Sequence, residues 1–443
     1  MNSHVLQFSA ISIALLGLVN FLLVWILHRQ WWKIKAVRRA SWLFPVTGVL
    51  IVALWGLASY LEFSFGSMLF GFLTVFCFIA SIAFLLALPF SGTALTLERI
   101  VRWIAKRIDR KKTSSNAAPS EQQPARSHVP ADADTVDTTR RSIITVGSAA
   151  LPALTVGLGT YGMISSEYAV KFPNVEMFFD DLHPDLDGLR ILHITDLHLG
   201  YSITLDSLEK TLINAEKQRP DLVLLSGDIS DDLPVLPEAL RMISQLRPRY
   251  GTFASLGNHE YHRGISQVLK IFDAGPVPLF VENGETVKIG KAELYIGAAD
   301  DPVAAGQGVT GDHEDFLQRS VSQAFDGAPS QAFQLLMSHR PEGFNQAARM
   351  NLDLTVAGHK HGGAQIGWNG RSLAETWFGL GEYTWGYYEK NNGASKLYTS
   401  AGAGHWFPFR LGVPREAPVY ILRRGKGSSQ YTENGSGLIT TSA

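Results

Sequence analysis

Eight side chains that can bind a metal or move a proton fall in five short clusters in the second half of the chain. They are Asp196 and His198, then Asp228, then Asn258 and His259, then His339, then His359 and His361. The set is carboxylates, imidazoles and one amide, with no thiolate. That mixture of oxygen and nitrogen donors suits Mn, Fe, Zn, Co or Ni better than Ca or Mg alone. The donors suffice for two divalent ions, and an Asp carboxylate can bridge such a pair. Ions roughly 3.5–4 Å apart share a hydroxide and clamp both ends of an in-line displacement at phosphorus. The chemistry these residues point to is metal-dependent hydrolysis of a phosphoester.

Taken singly, each cluster is modest. An Asp-x-His pair is common at surfaces and helix caps, and Gly227-Asp228 alone reads as a turn. Gly257-Asn258-His259-Glu260 is more specific. Gly358-His359-Lys360-His361-Gly362-Gly363 is unusual, because two imidazoles among glycines rarely serve a core. The weight lies in the order and in what precedes each cluster. Short apolar runs read as strands at Ile191–Thr195, Leu222–Ser226, Thr252–Leu256, Leu294–Gly297, Phe333–Ser338, Leu354–Ala357, Leu397–Ala401 and Val419–Leu422. Helical patterns lie between several of them, at Leu205–Gln218, Pro234–Leu246, Ile265–Phe272 and Phe316–Phe325. This alternation predicts an α/β domain. Five of the strands run directly into one of the clusters. Sites in α/β sheets gather beyond the carboxyl ends of strands, so groups distant in sequence converge there.

Other polar residues near these runs carry less. His193 shares no face with Asp196 on an alternating strand and reads as a packed core histidine. His262 can reach the cleft from beyond Glu260. Asp300-Asp301 either approaches the metals or forms a solvated turn. Asp231-Asp232 supports the ligands or caps the helix at Pro234. Arg410 either pairs a substrate phosphate as a bidentate donor or makes a structural ion pair. Trp377, Phe378, Tyr383, Trp385, Tyr387 and Tyr388 read as an apolar wall for a lipid or nucleoside, as ordinary packing, or as aromatic rings dipping into a membrane.

The first half is of another kind. Val5–Leu27, Trp42–Leu61 and Met68–Phe90 are apolar runs long enough to cross a bilayer, which takes roughly 20 residues. Trp25, Trp31, Trp32 and Trp42 stand at their ends, like an interfacial aromatic belt. Arg29, Lys33, Lys35, Arg38 and Arg39 fill the first loop, no Lys or Arg stands in the second, and seven follow the third run. The positive-inside rule therefore puts the first loop and the segment after Phe90 on the cytoplasmic side. Leu95–Ile108 reads as an amphipathic helix on the inner membrane surface. Thr113–Thr139 reads as a disordered linker. Arg140-Arg141 precedes a weak fourth apolar run, Thr145–Met163. This is either a twin-arginine export signal or the basic flank of a fourth membrane helix. Both readings put the rest of the chain outside; a helix lying on the surface would leave it cytoplasmic. The resulting division is 1–92 membrane region, 93–141 basic segment and linker, 142–164 fourth apolar segment, 165–430 catalytic domain and 431–443 tail. Net charge is -1, so no basic excess marks a nucleic-acid surface. The single cysteine, Cys77, lies in an apolar run and reads as a small buried hydrophobe.

Asp196-Leu197-His198, Gly227-Asp228, Gly257-Asn258-His259-Glu260, Ser338-His339 and Gly358-His359-Lys360-His361 together resemble the motif set of the calcineurin-like metallophosphoesterase superfamily. The resemblance covers about Arg190 to Leu422. Ile194–Gly200, Asn258–Tyr261 and Ala401–Gly404 followed by Pro408-Phe409-Arg410 are similar to bacterial membrane-associated phosphodiesterases with an exported catalytic domain. The likeness implies a four-layer α-β-β-α sandwich. It implies that Asp196, His198 and His361 bind one ion, that Asn258, His339 and His359 bind the other, and that Asp228 bridges them. It makes His259 the group that steadies the phosphoryl oxygen and protonates the leaving group. His198 in its motif favours diesters by family analogy, and Glu260 stands where many relatives have Asp. The expected enzyme is thus a dinuclear phosphodiesterase of the cell membrane. Its alternatives are a hydrolase of lipid-linked pyrophosphates or nucleotide-diphosphate lipids, and a non-catalytic phosphate-binding membrane scaffold.

Overall fold

In this computed structural model, residues 3–61, 63–115, 150, 152–200, 203–306, 313–368, 371–379, 381–405, 407–427 and 430–432 are described. The chain divides into two units, Met1–Met163 and Ile164–Ala443.

The first unit is helical: α1 (Ser3–Leu27), α2 (Arg29–Trp32), α3 (Lys35–Tyr60), α4 (Ser64–Ser115) and α5 (residues 152–166, which run on past the division). Ser9–Leu27, Lys35–Ala58 and Leu69–Pro89 are long and apolar enough to cross a membrane. Their shared core holds Ile13, Val52 and Cys77, so the lone cysteine packs as a hydrophobe. The third apolar run and the amphipathic segment after it are not separate elements. Helix α4 runs through both for 52 residues, with Pro89 inside. Proline removes one helical donor, and a long helix continues past it when neighbouring helices pack on it. The linker from residue 116 onward and Arg140-Arg141 lie outside the described residues. Of the fourth apolar run, residues 152–163 are helical.

The second unit is built on two sheets. Its strands are β1 (Asn174–Phe179), β2 (Arg190–Ile194), β3 (Leu222–Ser226), β4 (Thr252–Ser255), β5 (Leu279–Phe280), β6 (Asn283–Ile289), β7 (Ala292–Ala298), β8 (Phe333–Met337) and β9 (Leu354–Ala357). A short hairpin, β10 (Gly367–Trp368) and β11 (Arg371–Ser372), follows. Then come β12 (Gly386–Lys390), β13 (Ser395–Thr399), β14 (Val419–Arg424) and β15 (Gln430–Thr432). One sheet has the order β15-β1-β14-β2-β3-β4-β5 and the other β12-β13-β9-β8-β7-β6. Within the first, β2 to β5 are parallel; within the second, β7, β8, β9 and β13 are parallel.

Ile191, Leu222, Leu224 and Tyr420 of the first sheet share one buried cluster with Leu294, Leu335, Val356 and Tyr398 of the second, so the sheets pack face to face. The outer face of the first is covered by α6 (Leu205–Glu216), α7 (Leu236–Ser244) and α8 (Asn258–Asp273). The outer face of the second is covered by α9 (His313–Ala324) and α10 (Gly343–Arg349). Short α11 (His361–Ala364) and α12 (Leu373–Phe378) complete the unit. This is the α-β-β-α sandwich. Strands buried on both faces read as unbroken apolar runs, which is why β2, β3, β8 and β9 are visible in the sequence. Strands β6 and β12 are not. Both are edges of the second sheet, and their exposed polar positions hide the pattern.

The helix expected at Ile265–Phe272 starts earlier, at Asn258, and bends at Gly264, where φ is 121°. Glu260 makes this start possible by accepting the Gly257 N–H at 2.8 Å. A first-turn carboxylate reaching back in this way satisfies an orphan donor.

Candidate metal centre

The clusters hang from the carboxyl ends of β2, β3, β4, β8 and β9, all parallel within their sheets, so they meet at one edge of the sandwich. Five candidate ligands turn there with left-handed backbone: Asp196, His198, Asp228, His359 and His361, with φ between 46° and 68°. A non-glycine residue in that region costs about 1–3 kcal/mol unless its surroundings hold it. Backbone bonds between loops do so: Asp196 N–H donates to Gly227 O at 3.2 Å and His198 N–H to Asp228 O at 3.0 Å. Gly358 must be glycine because a Cβ there would strike the Asp196 carboxylate and the Thr195 hydroxyl. Glu260 ties the remaining strand ends together. Its carboxylate accepts the N–H groups of Asp228 (2.9 Å) and Ile229 (2.8 Å) as well as that of Gly257.

Among the described residues two sets of donors face each other, and a third, His198 with Asp231 and His259, shares His198 with the first. In the first, His361 Nε2 lies 3.3 Å from Asp196 Oδ1 and 3.2 Å from His198 Nε2. In the second, His339 and His359 face Asp228, with His339 Nε2 3.2 Å from Asp228 Oδ2. Asp228 belongs to both, since the same Oδ2 is 3.6 Å from His198 Nε2. Asn258 is buried beside this second set at the start of α8.

Hydrogen bonds and neighbouring charges set the protonation of these donors. His339 Nδ1 lies 2.8 Å from Ser226 O. A carbonyl only accepts, so Nδ1 carries a proton and Nε2 is the atom aimed inward. Burial first, then the neighbouring His339 imidazole and Arg340 guanidinium at one and the His198 imidazole and Arg410 guanidinium at the other, drive His359 and His361 well below the usual histidine range. They are neutral, as ligands must be. Against the desolvation of burial, the Asp228 carboxylate pushes the His339 imidazole up to about 10. The carboxylates thus gather positive charge at this spot. Asn258 Oδ1 is buried without a hydrogen-bond partner. Such an atom is costly to bury unless something binds it. The donor set fits two divalent ions.

Asp231 does more than the sequence indicated. It sits between two imidazoles, with Oδ2 3.2 Å from His198 Nδ1 and Oδ1 2.6 Å from His259 Nδ1. Arg263 also donates to it at 3.1 Å. The alternative role as a helix cap falls away: Asp232 holds the cap position before Pro234, and its side chain bonds no helix N–H. The position of Asp231, three residues after Asp228 on the same loop, was the available signal. The Asp300-Asp301 turn is buried rather than solvated. Asp301 pairs with Arg340 at 2.8 Å, and Arg340 Nη1 reaches His359 Nε2 at 3.1 Å. Nothing local in the sequence marks Arg340, which depends on Asp301 arriving from another strand.

His259 is half-buried near the mouth of the site, its ring edge-on to His198 with centroids 4.5 Å apart. Burial opposes its charged form, but the Asp231 hydrogen bond and the charges of Asp228 and Asp231 prevail and raise its pKa above the ordinary value. His262 is exposed, with its ring 6.0 Å from that of His259. His193 is a core residue, bonded to Tyr420 and Ser226. Arg410 is fully buried and makes neither contact considered for it. Its guanidinium donates to the carbonyls of Pro414 (2.9 Å), Ala401 (2.8 Å) and Gly404 (2.6 Å), which pins the loop beside Asp196. Of the aromatic cluster, Tyr383 and Trp385 are packed in the core and Trp377 is exposed.

Residues 189–363 match the family model described as calcineurin-like phosphoesterase. The chain is 30% identical over 282 residues to an uncharacterized metallophosphoesterase of Aquifex aeolicus, covering 62% of this chain and 99% of that one. It is 29% identical over 261 residues to an uncharacterized metallophosphoesterase of Campylobacter jejuni, covering 58% of this chain and 65% of that one. It is 25% identical over 281 residues to a transmembrane protein with metallophosphoesterase domain from Danio rerio, covering 61% of each. The matched region thus spans less than two thirds of the length of the last two relatives.

Proposed function

The chain belongs to the calcineurin-like phosphoesterase family, and from that premise we propose that its second unit hydrolyses phosphoesters, phosphodiesters first among them, with two divalent ions. The observation that carries this reading is the convergence of Asp196, His198 and His361 and of Asp228, His339 and His359 into donor groups, with Asn258 Oδ1 buried and unpartnered beside them. Asp196, His198 and His361 would hold one ion, Asn258, His339 and His359 the other, and Asp228 both. Mn, Fe, Zn, Co and Ni suit these donors. Ions so held polarise phosphoryl oxygens and make water a nucleophile near neutral pH.

The protein's own groups do the rest. Asp231 accepts from His259 Nδ1, which leaves Nε2 to hold the proton that the departing alkoxide needs. Asp231 also fixes the ring of His198, as second partners of ligand histidines do. Arg340 sets a positive charge beside His359, where phosphoryl oxygens gather. His262 stands at the rim in reach of a substrate's outer part. The Lys and Arg pattern of the first unit supports a catalytic unit on the outer side of the cell membrane.

The test uses full-length protein in detergent and bis(4-nitrophenyl) phosphate. Hydrolysis is expected to vanish with chelator and return with Mn. Metal-loaded protein that binds two ions and turns over no phosphoester would replace this reading with the phosphate-binding scaffold.

A further inference from the structure

The second unit is mostly polar outside, yet it exposes two tryptophans almost completely, Trp368 at 81% and Trp377 at 75%. Both lie on one short excursion, whose described residues are 366–368 and 371–378, which leaves the body of the unit just after the candidate ligand His361. Gln365 N–H still donates to His361 O at 3.1 Å. Trp368 ends β10, and Trp377 is in α12. The excursion is firmly built. Ser372 caps α12, and Glu375 accepts from Thr384 N–H (3.0 Å) and Tyr388 hydroxyl (2.9 Å). Arg371, also exposed, stands between the two rings in sequence. A rigid mount that leaves two indoles in water has an energetic cost, which contact with an apolar or interfacial phase removes.

The place of this excursion matters. Leu411 receives it: Gly367 N–H donates to Leu411 O at 3.0 Å, and Leu411 N–H to Gln365 O at 2.8 Å. The same loop receives the start of the unit. Ser165 donates to Arg410 O, Lys171 N–H donates to Arg415 O at 2.9 Å, and Glu167 lies 3.7 Å from His405. A few residues earlier that loop closes on the metal centre, with Gly404 N–H donating to Asp196 O at 2.9 Å. The tryptophans, the donor cluster and the point where the chain enters the unit are therefore linked through one loop. The chain enters the unit at Ile164 from helix α5, and three helices long and apolar enough to cross a membrane lie further upstream in the sequence.

We propose that Trp368 and Trp377 seat the metal-bearing end of the second unit in the headgroup layer of a phospholipid bilayer, so that its substrates are phosphoesters carried by membrane lipids. Indole rings favour that layer, with the ring among acyl chains and the N–H among headgroups. Arg371 meets phosphate there. The substrate clause rests on the phosphoesterase reading; the docking clause does not.

Two measurements test it in full-length protein reconstituted in phosphatidylcholine–phosphatidylglycerol vesicles. In the first, Cys77→Ala protein carries a nitroxide at Trp368→Cys or, as control, at Lys288→Cys on the exposed far end of the second sheet. The label at 368 is expected to collide more with oxygen than with a water-soluble nickel chelate, and the label at 288 the reverse. Equal, water-like collision at both sites overturns the docking. The second compares two substrates with the same leaving group, a vesicle-borne hexadecyl 4-nitrophenyl phosphodiester and soluble bis(4-nitrophenyl) phosphate. Trp368→Ser with Trp377→Ser is expected to slow the first about tenfold and leave the second unchanged, a loss of one factor of ten in interfacial affinity. Equal effects on both, or none on either, overturn the lipid substrate. Wild-type protein that cleaves neither ester removes the phosphoesterase reading while the nitroxide result stands on its own.

Discussion

At the scale of single residues, the proposed roles separate binding from proton transfer. His259 touches Asp231, and Asp231 also touches His198, so the proposed proton donor and a proposed ligand share one carboxylate. His259→Ala is therefore expected to lower kcat by about 10²–10⁴-fold with two ions still bound by elemental analysis. Asp231→Asn is expected to lower kcat and also to weaken metal affinity about 10–100-fold, read by titration with chelator. Equal metal affinity in the two variants would remove Asp231 from its supporting role. The backbone of the ligands can be tested separately. His361 has a φ of 46°, which glycine adopts freely and alanine does not. Without metal, His361→Gly protein is expected to unfold at a higher temperature than His361→Ala by about 1 kcal/mol. Identical melting would show that the surroundings impose no left-handed turn there.

Elements set how precisely these residues meet. The opposite ends of the second sheet's parallel strands are stitched by Asp353. Its carboxylate accepts from Gln334 N–H at 2.7 Å and its carbonyl from Lys396 N–H at 3.0 Å. Burial raises this carboxyl to about 6, against the Gln334 bond and the Lys396 charge. Below about pH 4 it is protonated in the folded and the unfolded chain alike, and stability does not change. As pH rises toward 6 the unfolded chain loses the proton first, so the fold loses stability, and above 6 the full penalty applies. Asp353→Asn is thus expected to match wild type near pH 4 and exceed it by on the order of 1–3 kcal/mol at pH 7.5, followed by thermal unfolding across pH. A constant difference across that range would refute the assigned shift. The elements themselves were legible to unequal degrees. Strands β2, β3, β8 and β9 are apolar on both faces and announce themselves. Edge strands β6 and β12 mix exposed charges with their apolar residues. Helix α8 starts early because Glu260 caps it from within its first turn, a bond that no local periodicity displays.

At the scale of the whole molecule, the candidate ligands come from both sheets. Asp196, His198, Asp228 and Asn258 come from the first sheet, and His339, His359 and His361 from the second. Metal bound there fastens one sheet to the other, so removal is expected to lower stability as well as activity. At ion concentrations a hundredfold above Kd, each site stabilises by about 2.7 kcal/mol. Melting of the second unit at the same temperature in excess Mn and in chelator would contradict a site shared by both sheets. The topology is tested with reporters fused after Ala443. One that works only outside the cytoplasmic membrane is expected to be active, and one that fluoresces only inside to be dark. The opposite pattern would leave the catalytic unit cytoplasmic and move its substrates to that face.

The sequence by itself determined the kind of chemistry. Ligand types, their order and the strands before them are local properties: a carboxylate or imidazole just past a buried strand must emerge at the carboxyl edge of a sheet. It determined the apolar spans in the same way, since length and hydropathy alone decide what can cross a bilayer. Tertiary structure decided which neighbours each ligand has. Asp231 joins His198 to His259, Asp301 orients Arg340 toward His359, and Arg410 is used up on the carbonyls of the loop that carries it. Those roles depend on distances between residues tens or hundreds of positions apart, set by how two sheets pack. The same packing left Trp368 and Trp377 outside while Tyr383 and Trp385 were buried, a difference no aromatic composition could foretell.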